Sequence, residues 1–256
     1  MNEIEIIDTN AENIHNYGFC GYKSAKQEGY SRKLDWLRQR FPEGLKFKVL
    51  YSAGDGAVGF IEYSPGEFAW RAVDAMGYMV VHCIANFYKK YRNRGYGVLL
   101  VEESIKDAAD GNMNGVVVIT RKGTWMAGKE LFLKRGFEIV DTAPPDFELL
   151  VKKLNSAPPP RFRTGWEKKL SQYGPGLTII SSDQCPYVVK GVSDITGTAI
   201  DKYGLEPQVI QLRNAGEAQD VPWPFSSFGI VLNGKLVADH PVSARRFINI
   251  MEKEVR

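Results

Sequence analysis

Phe87-Tyr88-Lys89-Lys90-Tyr91-Arg92-Asn93-Arg94-Gly95-Tyr96-Gly97-Val98-Leu99-Leu100 joins an apolar run to an amphipathic one without a gap. Upstream, Tyr78 to Ala85 is an almost unbroken apolar stretch of strand length. Downstream, Val98, Leu99, Val101, Ile105 and Ala108 recur at helical spacing. The two glycines therefore sit where a strand hands over to a helix. A helix that opens there presents unpaired backbone N–H groups and the positive end of its dipole. Gly95 and Gly97 let a phosphate come close to that backbone, and Arg92 and Arg94 add charge.

Two well-known glycine motifs do not describe this turn. The dinucleotide fingerprint Gly-x-Gly-x-x-Gly needs a glycine where Leu100 stands, and the P-loop needs Gly-Lys-Ser/Thr. The stretch resembles motif A of the GNAT superfamily of N-acetyltransferases, Arg/Gln-x-x-Gly-x-Gly/Ala, matched by Arg92, Gly95 and Gly97. Phe87 stands five residues before Arg92, as an apolar strand-end residue does in that family. The likeness continues through Val116 to Thr120 as the next strand, a helix over Trp125 to Leu133 closing at Gly136-Phe137, and a last strand over Phe147 to Lys153. With Glu3 to Ile7, Phe47 to Tyr51 and Val58 to Tyr63 as earlier strands, residues 1–154 are expected to form the mixed, splayed α/β sheet of a GNAT domain.

The resemblance implies acetyl-CoA as cosubstrate and no metal. Asn93, Arg94, Tyr96 and Val98 join Arg92, Gly95 and Gly97 in holding its pyrophosphate, and Ala85, Asn86 and Phe87 offer main-chain groups to its pantetheine arm. An amine then attacks the thioester directly, so the protein must deliver it neutral and protonate the departing thiolate. Two residues depart from the family. The tyrosine that commonly protonates the thiolate is replaced by Phe132, and the asparagine often found at the start of that helix by Trp125. Substitutes are sought nearby, in Glu62 on the third strand and His82 and Cys83 on the fourth. Strand alternation places His82, Ile84 and Asn86 on one face and Cys83, Ala85 and Phe87 on the other. Glu62, between Phe60 and Tyr63, must find a partner or face a cleft.

At 256 residues the chain is long enough for two domains. Its formal charge of +3 is spread over both halves, which argues against a nucleic-acid partner. The absence of a membrane-length apolar stretch, the acidic start at Glu3 and Glu5, and three scattered cysteines point to the cytoplasm and away from a disulfide framework. The aromatic residues Tyr17, Phe19, Tyr22, Tyr30 and Trp36 either line an acceptor pocket or pack two helices.

Asn155-Ser156-Ala157-Pro158-Pro159-Pro160 can continue neither strand nor helix and reads as a stiff spacer, with residues 155–175 as linker and lead-in. After it come a strand over Leu177 to Ser181, a helix from Cys185 to about Tyr203, strands at Gln208 to Leu212 and Gly229 to Leu232, a hairpin turn at Asn233-Gly234, and a helix over Ser243 to Glu254. This order is that of the thioredoxin-like fold, expected over residues 176–256. Cys185-Pro186-Tyr187-Val188 resembles the glutaredoxin Cys-Pro-Tyr-Cys with its second cysteine replaced. A thiol at a helix start has a lowered pKa, yet without a resolving cysteine at Val188 only monothiol chemistry, ligand capture or no chemistry remains. A GNAT domain with such a tail resembles the YoaP-type acetyltransferases, most closely around Gly123 to Lys129 and Ala143 to Phe147. The expected function is acetyl transfer to a primary amine of a small molecule or protein, with the tail shaping or recruiting the acceptor. The alternative is a CoA-binding thiol protein whose chemistry resides in Cys185.

Overall fold

The computed structural model describes residues 4–22, 26–123 and 125–254. Glu3 and Thr124, which two of the expectations above include, lie outside them. The chain folds as two compact units. The first contains Met1–Lys26, Leu34–Ala69 and Val73–Phe162, and the second Gln27–Lys33, Trp70–Ala72 and Arg163–Arg256.

In chain order the first part comprises β1 (Ile4–Thr9), α1 (Ile14–Tyr17), α2 (Glu28–Arg40), β2 (Lys46–Ser52), β3 (Gly56–Pro65), β4 (Val73–Asp74) and β5 (Met79–Asn86). Then come α3 (Tyr96–Asp110), β6 (Gly115–Thr120), α4 (Glu130–Leu133), β7 (Glu138–Ala143), β8 (Phe147–Lys153) and β9 (Arg161–Phe162). Seven of these strands form a mixed sheet in the order β1-β2-β3-β5-β6-β8-β7. β5 and β6 are its parallel pair, and every other neighbouring pair is antiparallel. β6 is buried along its whole length, which explains its unbroken run of β-branched residues. α3 lays Leu100, Val101, Ser104 and Ala108 against one face of the sheet, where Tyr63, Val81 and Val118 meet it. Leu99, counted above on the apolar stripe, is 48% exposed, and Leu100 takes the inward place.

Two local features differ from the expectations. The helix expected over Trp125 to Leu133 is confined to Glu130–Leu133, because Gly123 and Trp125 hold positive φ (125° and 74°) and break the helical path before it. β7 has no counterpart among the expected strands. It is an edge strand with a register shift between Ile139 and Asp141, so its alternation is interrupted and Ile139 points to solvent. The proline run, expected as a stiff spacer, is exposed at Asn155, Ser156, Pro158 and Pro159 and is anchored by Tyr78 OH, which donates to Pro158 O at 2.8 Å; beyond it Phe162 N–H donates to Asp141 Oδ2 at 2.8 Å, and β9 pairs with β4. The aromatic residues near the N-terminus pack rather than line a cleft in three cases, with Phe19, Tyr30 and Trp36 buried.

The second unit carries α5 (Trp166–Ser171), β10 (Leu177–Ser182), α6 (Pro186–Tyr203), β11 (Gln208–Leu212), α7 (Ala215–Asp220), β12 (Phe228–Leu232), β13 (Lys235–Ala238) and α8 (Ala244–Glu254). Its sheet runs β11-β10-β12-β13, with β10 and β11 parallel and the other two pairs antiparallel. Asn233 and Gly234 both have positive φ, the pair of left-handed residues that a two-residue hairpin between Leu232 and Lys235 requires. Among the described residues the cis peptide is Pro144-Pro145, so the peptides before Pro222 and Pro224 are trans. The Pro-Trp-Pro-Phe segment supplies core: Trp223 and Phe225 are buried, and the Trp223 indole N–H donates to Phe228 O at 2.9 Å.

Candidate functional site

The site is set by where two parallel strands part. β5 and β6 pair only from Met79/Val116 to Val81/Val118, although β5 continues to Asn86 and β6 to Thr120. The parting starts at a bulge. Glu62 of β3 stands opposite Cys83 and Tyr63 opposite Val81, so His82 is an extra residue in β5. Beyond it, Phe87 N–H donates to Val58 O at 2.8 Å. Antiparallel pairs alternate between bonded and unbonded, so Ala85 also turns its backbone groups to β3, while Ile84 and Asn86 turn theirs to the opposite edge. That edge has no strand partner in β6. The expectation that Ala85, Asn86 and Phe87 all offer main-chain groups is therefore narrowed to Asn86, with Ile84 beside it. Trp125, Met126 and Ala127 close over the gap, leaving a cavity of about 20 Å³ lined also by His82, Cys83 and Ile84.

The bulge also overturns the simple alternation of side chains. Cys83 is the cross-strand partner of Glu62 and Ala85 of Phe60, and the Phe87 ring lies 5.7 Å from that of Phe60. His82 bonds Glu62. All four thus share the face away from α3, and only Ile84 and Asn86 return to the α3 side. On that far face Glu62 Oε1 lies 3.2 Å from His82 Nδ1, and His82 Nε2 lies 3.2 Å from Ser64 Oγ. Glu62 and Ser64 are 1% and 2% exposed, so the three groups form a relay shielded from water. Ser64, which the sequence reading missed, carries no signal beyond its place two residues after Glu62 on the same strand face.

The basic turn follows. Lys90 Nζ is 2.6 Å from Asp55 Oδ2, and Tyr91 OH donates to Asp55 and Ser52, which pins the chain just before Arg92. Asn93 and Gly95 then take positive φ of 58° and 83°, and α3 begins at Tyr96 with Gly95 as its cap. The capping residue Gly95 brings no side chain to the first N–H groups of the helix, which suits them to an anion, with Arg92, Asn93, Arg94 and Gly95 exposed around them. A Cβ at Gly95 would meet nothing within 4 Å, and one at Gly97 would come 3.4 Å from Leu131 Cδ1. Gly95 is required by its backbone angle. Gly97 is not required by its described neighbours, since a Cβ there meets only the end of the Leu131 side chain.

Phe132 is fully buried, its ring 5.4 Å from that of Phe137, so it is a core residue with no polar role. In the second unit Cys185 caps α6 with Pro186 at its first turn, while Val188 is buried. Gln184, next to Cys185, accepts from the buried Arg71 guanidinium at 3.1 Å, and that guanidinium lies over the Phe225 ring. Among the described residues no group of three or more His, Cys, Asp or Glu could hold a metal ion, and no helix is long and apolar enough to cross a membrane.

The YoaP-like family pattern matches residues 208–249. A protein of Bacillus subtilis (strain 168), named uncharacterized N-acetyltransferase YoaP, is 31% identical over 253 residues, spanning 97% of this chain and 97% of that protein. Among solved structures, an acetyltransferase of the GNAT family from Staphylococcus aureus Mu50 is 15% identical and covers 60% of this chain and 100% of its own, with a TM-score of 0.43. PaiA N-acetyltransferase from Thermoplasma acidophilum, in complex with coenzyme A, is 18% identical and covers 59% of this chain and 99% of its own, with a TM-score of 0.41.

Proposed function

Because the chain belongs to the YoaP family of GNAT-type N-acetyltransferases, we propose that it moves the acetyl group of acetyl-CoA to a primary amine by direct attack. One observation carries this reading. The parted ends of β5 and β6 expose the backbone of Ile84 and Asn86 in the same unit in which the Arg92 to Val98 turn opens α3 with free N–H groups. That combination suits a ligand with a pyrophosphate at one end and an amide-bearing arm at the other. Acetyl-CoA supplies the activated thioester. Arg92, Arg94 and the N–H groups of Tyr96, Gly97 and Val98 hold the phosphates, and the exposed edge of β5 holds the arm.

The acceptor amine is delivered at the parted strands, where His82 and Cys83 line the cavity. Glu62, shielded from water and reached through His82, is our candidate for the base that takes the proton the attacking amine must lose. Cys83, paired across the strands with Glu62, is our candidate for returning a proton to the departing thiolate in place of the missing tyrosine. The second unit is read as thioredoxin-like over residues 176–256, supported by its strand order β11-β10-β12-β13 and by the Cys185-Pro186 helix start. Its role is to shape or recruit the acceptor.

Calorimetric titration with acetyl-CoA tests the reading, with Gly97→Asp as the control. An aspartate in the first turn of α3 complements the helix dipole and meets only the flexible end of Leu131, so the variant keeps its fold while its charge repels the pyrophosphate. Saturable binding by the wild type, weakened at least about tenfold in the variant, and amine-dependent thiol release are the expected results. Well-folded wild-type protein that does not bind acetyl-CoA would remove the proposal.

A further inference from the structure

The edges of the described sheets are not alike. β1 carries Glu5 and Asp8, β7 carries Glu138 and Asp141 with a register shift, and β13 carries Lys235 beside another shift. The two-stranded pair β4 and β9 holds Asp74 and Arg161. Charges and bulges of this kind keep an open strand edge from pairing with a further strand. β11 has neither. It reads Gln208-Val209-Ile210-Gln211-Leu212, pairs with β10 in unbroken register, and is the last strand of its sheet. Val209 on it is 45% exposed. Beside Gln208 and Ile210 lies a cavity of about 270 Å³, lined also by Tyr173, Asp220 and Pro222, so these two side chains are open on their own face.

An edge strand offers alternate backbone N–H and C=O groups to a further strand, and the side chains decide which strand fits. β11 fits itself. Antiparallel pairing about Ile210 sets Ile210 against Ile210, Val209 against Gln211 and Gln208 against Leu212, with no charge opposite a like charge. The flanking residues add complementarity. Glu206 lies exposed two residues before the strand and Arg213 exposed one residue after it, and among the described residues neither side chain has an ion-pair partner. The same pairing sets Arg213 of one copy opposite Pro207 of the other, one residue from its Glu206, and symmetry repeats this contact at the far end.

We propose that β11 is the docking edge for a second copy of this chain, joined antiparallel about a two-fold axis at Ile210 so that the four-stranded sheet of the second unit is doubled. The inference is independent of the acetyl-transfer reading. The expected contact is held by backbone hydrogen bonds across the axis, by Val209 against Gln211, and by the two Glu206–Arg213 pairs.

Sedimentation velocity of the full chain over a range of concentrations tests it, comparing wild type with Val209→Lys, Glu206→Arg, Arg213→Glu and the double reversal. All three positions are exposed, so the variants should keep the wild-type melting temperature. The expected result is a monomer–dimer equilibrium in the wild type, weakened at least about tenfold by Val209→Lys and about three- to tenfold by each single reversal. The double reversal should regain wild-type affinity, because it restores the pair with its signs exchanged. Hydrogen exchange at the amides of β11 should slow as concentration rises. A chain that is monomeric at every concentration overturns the inference, as does a dimer that withstands Val209→Lys. A double reversal weaker than either single one rules out the Glu206–Arg213 contact and with it the axis at Ile210. Slow exchange of β11 that does not change with concentration would mean that the edge is already covered within one chain, which overturns it too.

Discussion

Glu62, His82 and Ser64 show how little a residue's identity says until its neighbours are placed. Each is a polar residue on a strand, and together they form a chain of two 3.2 Å contacts away from water. If Glu62 takes the amine proton, Glu62→Gln should lower kcat by about 10²- to 10⁴-fold with little change in acetyl-CoA affinity. Ser64→Ala should lower kcat by less. An unchanged kcat in Glu62→Gln would remove Glu62 from the mechanism. Phe132 carries the opposite lesson. Restoring the family's tyrosine by Phe132→Tyr should yield no gain in activity and should cost about 1–3 kcal/mol of stability, because the position is fully buried against Phe137. Denaturant titration and a thiol-release assay would check both parts.

At the scale of elements, glycines mark where the chain is most constrained. Gly95 at φ 83° opens α3 with open space around its absent side chain. Gly95→Ala should therefore destabilise only through its backbone, by about 1 kcal/mol, and Gly95→Asn by less. Gly229 is the reverse case. A Cβ there would lie 2.2 Å from the Trp223 ring, so Gly229→Ala must displace a buried indole and should cost about 1–3 kcal/mol. Both values follow from urea unfolding midpoints. The bulge at His82 is the element-level feature that sequence alone concealed. Alternation predicts the facing of a strand only while the ladder is regular, and one inserted residue moved Cys83, Ala85 and Phe87 onto the face of His82 and Glu62. The strands themselves were legible because apolar runs of the right length bounded by turn residues have few other uses. β7 was not, because an edge strand with a register shift lacks the alternation that would reveal it.

Across the whole molecule, a charged cluster beneath the sheet sets a pH limit on stability. Burial pulls the Lys48 ammonium down, but hydrogen bonds to Glu103 at 2.8 Å and Asp107 at 3.1 Å, with Asp8 nearby, outweigh it and leave its pKa raised above the ordinary 10.5. Tyr63 is also raised above its usual 10.0, by burial and by the Asp107 carboxylate that accepts its hydroxyl proton at 2.8 Å. In both cases the folded state holds a proton that the unfolded chain releases first. The stabilisation is therefore complete below about pH 10 and is lost as pH rises through the folded values. Unfolding midpoints should be level through neutrality and fall in the alkaline range, with a shallower fall in Tyr63→Phe. A fall beginning on the acidic side of neutrality, and none above it, would contradict this assignment.

The sequence by itself determined the strand-turn-helix at Phe87 to Leu100, the order of most strands in both halves, and the glycines that open α3. These depend on local spacing and backbone angle, which neighbouring residues dictate. Tertiary structure alone decided the rest: that His82 is a bulge, that Ser64 completes a relay with Glu62, that β11 stands at the edge of its sheet, and that Gln27–Lys33 and Trp70–Ala72 belong with the second unit rather than the first. The physical reason is that a strand's register, its place in the sheet and a segment's unit are set by residues distant in the chain, which no local pattern records.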